Sequence, residues 1–190
     1  MYDLHKIKKH LSKALDHKRY EHTLGVAYTA AALAMRYGED IKKAEVAGLL
    51  HDCAKCMENE KKLAICEKHH ISISDAEQRN NFLLHAKVGA WLAQKKYHVK
   101  EEDILNAIRY HTTGRPEMSL LEKIIYIADY IEPGRDHADN LTEIRTLAFE
   151  NLDLVLVKIL EDILIHLNET KKEIDPMTQL TYDYYKQLTE

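Results

Sequence analysis

A chain of 190 residues with 45% hydrophobic and 31% charged side chains, six glycines and three prolines suits one mostly helical domain. At that length roughly 70% of the unfolded surface is buried on folding, enough for a substantial core. The net charge of −4 offers no broad attraction to nucleic acid, so an anionic substrate has to be met by a local basic pocket. Apolar runs are too short and interrupted to span a bilayer, and the N-terminus lacks a signal-peptide core, so no membrane partner and a cytoplasmic location are expected.

The pattern is helix after helix, with no convincing strand alternation. Residues 3–16 carry Leu4, Ile7, Leu11, Ala14 and Leu15 on one face. A second helix is expected from Arg19 to Tyr37, with Gly38 at its C′ position. Ile41 to Asp52 reads as the central helix, and Glu58 to Lys68 as a shorter charged one. An irregular stretch follows, where Ser72 or Ser74 could cap a turn. Asn81 to Lys95 shows an apolar face of Leu83, Leu84, Val88, Trp91 and Leu92, and Glu101 to Tyr110 precedes a Thr-Thr-Gly-Arg-Pro loop. Ser119 caps a strongly apolar helix that Pro133-Gly134 stops. Residues 140–167 hold one or two helices with a break near Asn151, and Thr178 to Leu188 holds the last.

Three cysteines, Cys53, Cys56 and Cys66, form an odd set in a chain that needs no disulfide staples. Cys53-x-x-Cys56 with Cys66 and His69 could be a Cys3His zinc knuckle, but no knuckle or ribbon surrounds them. No βαβ unit precedes the pair, so a thioredoxin-type motif is excluded. Small buried or half-buried thiols are the expectation.

The chain is organised around Val46 to Lys55, an apolar run that delivers His51 and Asp52 side by side with Lys55 three positions on. Helical neighbours point about 100° apart, so both reach one ion only if it sits between their faces near a helix end. The bland alternative is the polar tip of a core helix. His22 opens the second helix, His85 lies between Leu84 and Ala86, and His111 ends a helix. Asp129 interrupts the apolar run from Ile124 to Ile131, where a buried carboxylate needs a cation, either an arginine or a metal. The set His22, His51, Asp52 and Asp129 suits a transition metal, Fe or Mn foremost, with Zn, Co and Ni admissible. His85 and His111 are either ligands of a second ion or donors to phosphate.

The blocks Arg19-Tyr20-Glu21-His22, Leu49 through Lys55, Leu84-His85 with Val88-Gly89-Ala90, Ala107 through Arg115, and Leu120-Leu121-Glu122-Lys123-Ile124 with Asp129 through Pro133 follow one another in this order. Together they resemble the HD superfamily of metal-dependent phosphohydrolases, and more closely the bacterial YqeK-like symmetrical bis(5′-nucleosyl)-tetraphosphatases. The resemblance covers His17 to Arg135, and beyond Asn140 it reaches little except Ile174-Asp175-Pro176. It implies an all-α HD domain over residues 1–190, with a metal core over roughly 18–135 and C-terminal helices over 140–190. It further implies an iron-like ion on His22, His51, Asp52 and Asp129, and catalytic roles for His51, Asp52, His85 and His111. Substrate contacts would come from Lys55, His85, His111 and Arg135, with Arg19 and Thr112 as weaker candidates and the ligands His22 and Asp129 beside them. The implied reaction splits diadenosine tetraphosphate into two ADP in a homodimeric enzyme. Another nucleotide hydrolase, acting on nucleoside triphosphate or guanosine tetraphosphate, is the nearest rival. A non-catalytic nucleotide sensor and a helical adaptor are the others. The guanosine tetraphosphate enzymes typically carry two acidic residues soon after the His-Asp pair, whereas Cys53-Ala54-Lys55-Cys56 stands here.

Overall fold

A computed structural model of the chain describes residues 2–136 and 138–189. Eleven α-helices and one 3-10 turn account for its regular structure, and no strand occurs among the described residues. Helix α1 (Leu4–Ala14) and α2 (His17–Tyr37) each start at an aspartate, Asp3 and Asp16, whose side chain accepts a backbone N–H of the first turn. Such caps contribute about 1 kcal/mol each. Gly38 ends α2 in the left-handed region at φ +77°, as expected from the sequence.

Helix α3 (Ile41–Leu50) stops two residues sooner than expected. His51 and Asp52 therefore open a run of turns over residues 51–56, His51 still at helical angles and the chain departing from the helix after it. Then follow α4 (Asn59–Lys68) and the short α5 (Asp75–Arg79), which Ser74 opens through a capping box with Glu77. The helix expected from Asn81 begins instead as a 3-10 turn (Asn81–Leu84) and becomes α6 at His85 (His85–Lys96). Helix α7 (Glu102–Arg109) leads to the loop that ends at Ser119, and α8 (Leu120–Ile131) runs to Pro133. The C-terminal third holds α9 (Leu141–Leu147), α10 (Leu152–Glu169) and α11 (Pro176–Thr189). The break expected near Asn151 is real, because Asn151 caps α10.

Helix α2 packs most extensively on α3 and also on α8. A Cβ on Gly48 of α3 would lie 2.7 Å from the Ala27 Cα, so only glycine lets the two backbones approach this closely. That contact brings the start of α2 beside the turn after α3. The core beneath includes Leu33, Leu49, Leu50, Ile104, Ile108 and Ile124, all fully buried. Each such side chain contributes about 1.5–3 kcal/mol by leaving water. A smaller cluster of Ala54, Cys66, Leu84 and Val88 backs the His-Asp turn from the α4–α6 side.

Helix α8 is fixed at both ends. Ser119 and Glu122 form a capping box, and Arg115 donates to both Glu122 oxygens at 2.6 and 2.8 Å. At the other end Arg145 of α9 donates to the carbonyls of Ile131, Glu132 and Arg135 at 2.9, 3.0 and 2.8 Å. That clamp holds the α8 terminus and the following loop, which carry Asp129, Glu132 and Arg135.

Candidate metal centre

The helix starts and ends just described converge on the turn at residues 51–56. Helix α2 brings Arg19 and His22, α8 and its following loop bring Asp129, Glu132 and Arg135, α6 brings His85, and the end of α7 brings His111. His51, Asp52, His85 and His111 are all buried, so their polar atoms must find partners within the fold.

Three imidazoles are held in the same way. The Nδ1 atoms of His51, His85 and His111 lie 2.7 Å from the carbonyls of Gly48, Phe82 and Ile108, each three residues earlier. A carbonyl only accepts, so each Nδ1 carries the proton and each Nε2 is turned toward the interior of the site. His22 is held from another helix, with Nδ1 3.0 Å from Glu132 Oε1. Orientation of one ring nitrogen by a carbonyl or carboxylate, with the other left to bind, is the usual arrangement around metal-ligating histidines.

The four Nε2 atoms surround two carboxylates. His22 Nε2 lies 3.0 Å from Asp129 Oδ1 and 4.0 Å from Asp52 Oδ2. His51 Nε2 lies 3.5 Å from Asp52 Oδ2 and 3.9 Å from Asp129 Oδ1. The other Asp52 oxygen faces Lys55, His85 and His111 at 3.5, 3.3 and 3.4 Å. Asp52 thus stands between two groups, and its Oδ2 is also bound by Arg19 at 2.7 Å. Lys55 Nζ lies 2.9 Å from His85 Nε2, where an ammonium can only donate, so His85 is neutral.

The electrostatics agree. Burial alone would raise the Asp52 carboxyl, but the imidazoles of His51, His111 and His85 hold it well below the usual range. Burial would likewise raise Asp129, and the contact with His22, the neighbouring His51 ring and the Arg135 guanidinium hold it far down. Burial, reinforced by the Lys55 charge, lowers His85 to about 4. Lys55 is itself lowered by burial.

The donor set fits a metal ion. His51 Nε2 and Asp52 Oδ1 are buried without a hydrogen-bond partner, because the neighbours of Asp52 Oδ1 stand near it without bonding geometry. With its Nδ1–H given to Glu132, His22 presents Nε2 to a carboxylate oxygen, a contact that a proton or a cation must occupy. One ligand atom each from His22, His51 and Asp129 lies within 4.8 Å of the others, and the same holds for His51, Asp52 and His111. Nitrogen and oxygen donors of this kind suit divalent transition metals. The arginine alternative for Asp129 is also realised, since Arg135 Nη2 bonds its Oδ1 at 2.6 Å. The orphaned Nε2 of His51 therefore carries the fit, not the burial of Asp129.

All the residues singled out from the sequence assemble here except Thr112. It lies next to His111 and lines the cavities on either side of it, without reaching Asp52. The sequence reading missed Glu132. It is buried at the end of α8, and besides His22 it receives the Gly134 N–H at 2.6 Å. An acid placed directly after the apolar α8 run was the available signal. The cysteines form no metal cluster among the described residues: Cys53 and Cys66 are buried free thiols, and Cys56 is exposed.

Residues 19–134, the span that builds this cluster, match the family described as HD domain. The chain is 44% identical over 176 residues to the symmetrical bis(5′-nucleosyl)-tetraphosphatase of Bacillus subtilis, covering 92% of each. It is 35% identical to the enzyme of that name from Staphylococcus aureus, over 96% of this chain and 94% of that one. Its fold resembles the crystal structure of a predicted HD superfamily hydrolase from Clostridium acetobutylicum, at a TM-score of 0.95 and 43% identity, over 99% of both chains. With the family's span falling on the residues that converge around Asp52, the chain belongs to the HD domain family.

Proposed function

We propose that this chain is a metal-dependent hydrolase that splits diadenosine tetraphosphate symmetrically into two ADP, the activity named for its relatives from B. subtilis and S. aureus. The observation that carries the proposal is the set of tied-back imidazoles, whose Nε2 atoms converge on Asp52 and Asp129. His22, His51, Asp52 and Asp129 would hold one ion; their mixed nitrogen and oxygen donors suit iron or manganese, and the family resemblance favours iron. Bound there, it supplies the positive charge that acidifies a water molecule and offsets charge on the phosphoryl group.

The rest is the work of the chain's own side chains. Lys55, His85 and His111 form a nitrogen-rich wall on the far side of Asp52, and Arg135 stands beside Asp129. The Lys55 and Arg135 cations position the phosphates and stabilise charge on the departing oxygen, which is most of what phosphoryl transfer requires, and neutral His85 accepts from Lys55 and holds that ammonium in place. Water attacks the phosphorus at the end of the bound ADP half, the bridging P–O bond breaks, and the other half leaves as ADP. Arg19, bonded to Asp52 Oδ2, holds that carboxylate in register.

The same proposal includes a domain that spans the chain, a homodimer, and a cytoplasmic location. Exposed Leu154, Ile165, Leu180 and Leu188 on α10 and α11 offer apolar surface for a second copy. Three free cysteines suit a reducing compartment, and no described helix is long and apolar enough to cross a membrane.

Product analysis in oxygen-labelled water tests the reaction. Two ADP should form, one of each pair labelled on its β-phosphate, and ADP should inhibit. ATP plus AMP would mean that the wrong bridge is cut and would overturn the site assignment. Phosphate release from ATP at a comparable rate would favour a triphosphatase.

A further inference from the structure

Lys62 is fully buried on α4, yet the fold offers its ammonium little in return. Among the described residues no carboxylate pairs with it. Its hydrogen bond runs 3.5 Å to the Phe82 carbonyl, at the outer limit of such a contact. Taking an ammonium out of water on those terms is destabilising. A methionine, similar in length and uncharged, would fill the same space without that penalty. Stability of the fold therefore does not account for a lysine here.

What Lys62 touches leads directly to the phosphate side of Asp52. The Phe82 carbonyl is also the acceptor that orients His85, whose Nδ1 lies 2.7 Å from it. The Phe82 ring has Lys55 Nζ at 4.6 Å from its centroid, Lys62 Nζ at 5.2 Å and the His85 ring at 5.4 Å. One residue of the 3-10 turn thus meets both Lys55 and His85, and Lys62 meets that residue twice, at its carbonyl and at its ring. The turn has need of a brace. No side chain caps its start at Asn80, and 3-10 hydrogen bonds are poorer than those of an α-helix. The Phe82 ring is exposed, so core packing does not fix it. Burial lowers the Lys62 ammonium, the Lys55 charge lowers it further and the Asp52 charge raises it, so it lies within electrostatic reach of the centre.

We propose that Lys62 is a positioning residue of the phosphate side, bracing Phe82 from α4 and so fixing His85 and, with it, Lys55. This rests on the hydrolase reading above and extends it to a helix that lies outside the five blocks of the family resemblance. The order of action is Lys62 on Phe82, Phe82 on His85, and His85 on the Lys55 ammonium that meets phosphate. Lys55 Nζ also lies 3.5 Å from Asp52 Oδ1, and a loosened His85 would let it settle on that carboxylate instead of on substrate.

Calorimetric titration of the zinc-loaded protein with pyrophosphate reads this without turnover. Lys62→Met should weaken pyrophosphate about tenfold, while zinc affinity stays within twofold of wild type and the melting temperature holds or rises. On a Lys55→Ala background the same substitution should change pyrophosphate binding less than twofold, because the group it positions is gone. Lys62→Gln keeps an N–H for the carbonyl and should lose less; it carries the same test if Lys62→Met fails to fold. Wild-type affinity in both variants, or an equal loss with and without Lys55, would overturn the positioning role. So would a loss of zinc affinity or melting temperature in step with that of pyrophosphate, which is the mark of a plain strut. A wild type that shows Lys62-dependent pyrophosphate binding but does not cleave diadenosine tetraphosphate overturns the hydrolase reading alone. One that cleaves it but binds no pyrophosphate overturns the positioning role alone.

Discussion

The two sides of Asp52 differ in kind. On the Oδ2 side, His22 and His51 meet a second carboxylate, Asp129, and Glu132 orients the outer histidine. On the Oδ1 side stand only nitrogen groups, Lys55, His85 and His111. A cation is held best where carboxylates and unprotonated imidazoles combine, whereas the Lys55 ammonium, seated against neutral His85, suits an anion. Two histidine-rich half-sites at one carboxylate thus invite opposite charges: the first a metal, the second a phosphate. Asp52 is common to both, and this makes it the residue on which the whole arrangement turns.

The largest effect should come from removing that shared group. Asp52→Ala strips one carboxylate from the metal side and leaves Arg19 and Lys55 without their anion. Metal content and turnover should both fall below detection, by elemental analysis and product assay. Chelation of the wild type should act similarly through the ion alone. A ligand that binds only the folded state at about a thousandfold its dissociation constant stabilises by about 4 kcal/mol, so the melting temperature should drop by roughly 10 °C. Full activity after exhaustive chelation would exclude a metal mechanism.

Separate substitutions on the two sides test the division itself. His22→Ala should lose the ion and the activity together. His111→Ala should keep one equivalent of metal while the rate falls about 10²- to 10⁴-fold, as for the loss of a group that stabilises developing charge. Loss of an equivalent of metal in His111→Ala would mean that His51, Asp52 and His111 hold a second ion.

The sequence made one side more legible than the other. His51, Asp52 and Asp129 stand in short blocks whose flanks are mostly apolar, so each is conspicuous, whereas His22, between Glu21 and Thr23, is marked only by its place before the others. What orients them was hidden, because it is mostly backbone. The Gly48, Phe82 and Ile108 carbonyls that tie the imidazoles carry no side-chain signature. The end of α3 was misplaced by two residues for a related reason: His51 keeps helical angles, φ −54° and ψ −43°, and only the following turns depart from the helix. Glu132 was visible as a letter, but its partner lies 110 residues away on α2.

Glu132 gives an intermediate test of the metal side. Glu132→Gln preserves shape but can turn an amide N–H₂ toward His22, which weakens its hold on the Nδ1 proton. Loss of such orienting groups typically costs about 10- to 100-fold in metal affinity. Metal titration should show that loss, with little change at saturating metal. An unaltered metal affinity would reduce Glu132 to a cap on the end of α8, where it also receives the Gly134 N–H.

The smallest effect is a rate of thiol labelling, and it reports on the turn itself. Cys53 follows Asp52 directly, is buried, and stands 3.6 Å from the Gly89 carbonyl. Burial, with the Asp52 charge beside it, pushes its thiol up to about 12. Since the thiolate is the reactive form, Cys53 should resist iodoacetamide at pH 8 while exposed Cys56 reacts readily. Cys66, buried in the smaller cluster behind the turn and also raised by burial, should resist as well. If the ion holds the turn through Asp52, chelation should free Cys53 to react sooner but leave Cys66 protected. Equal acceleration at both thiols would instead indicate general loosening, and no acceleration at either would mean that the turn holds its shape without the metal. Peptide mapping of the labelled protein, with and without chelator, distinguishes these three outcomes.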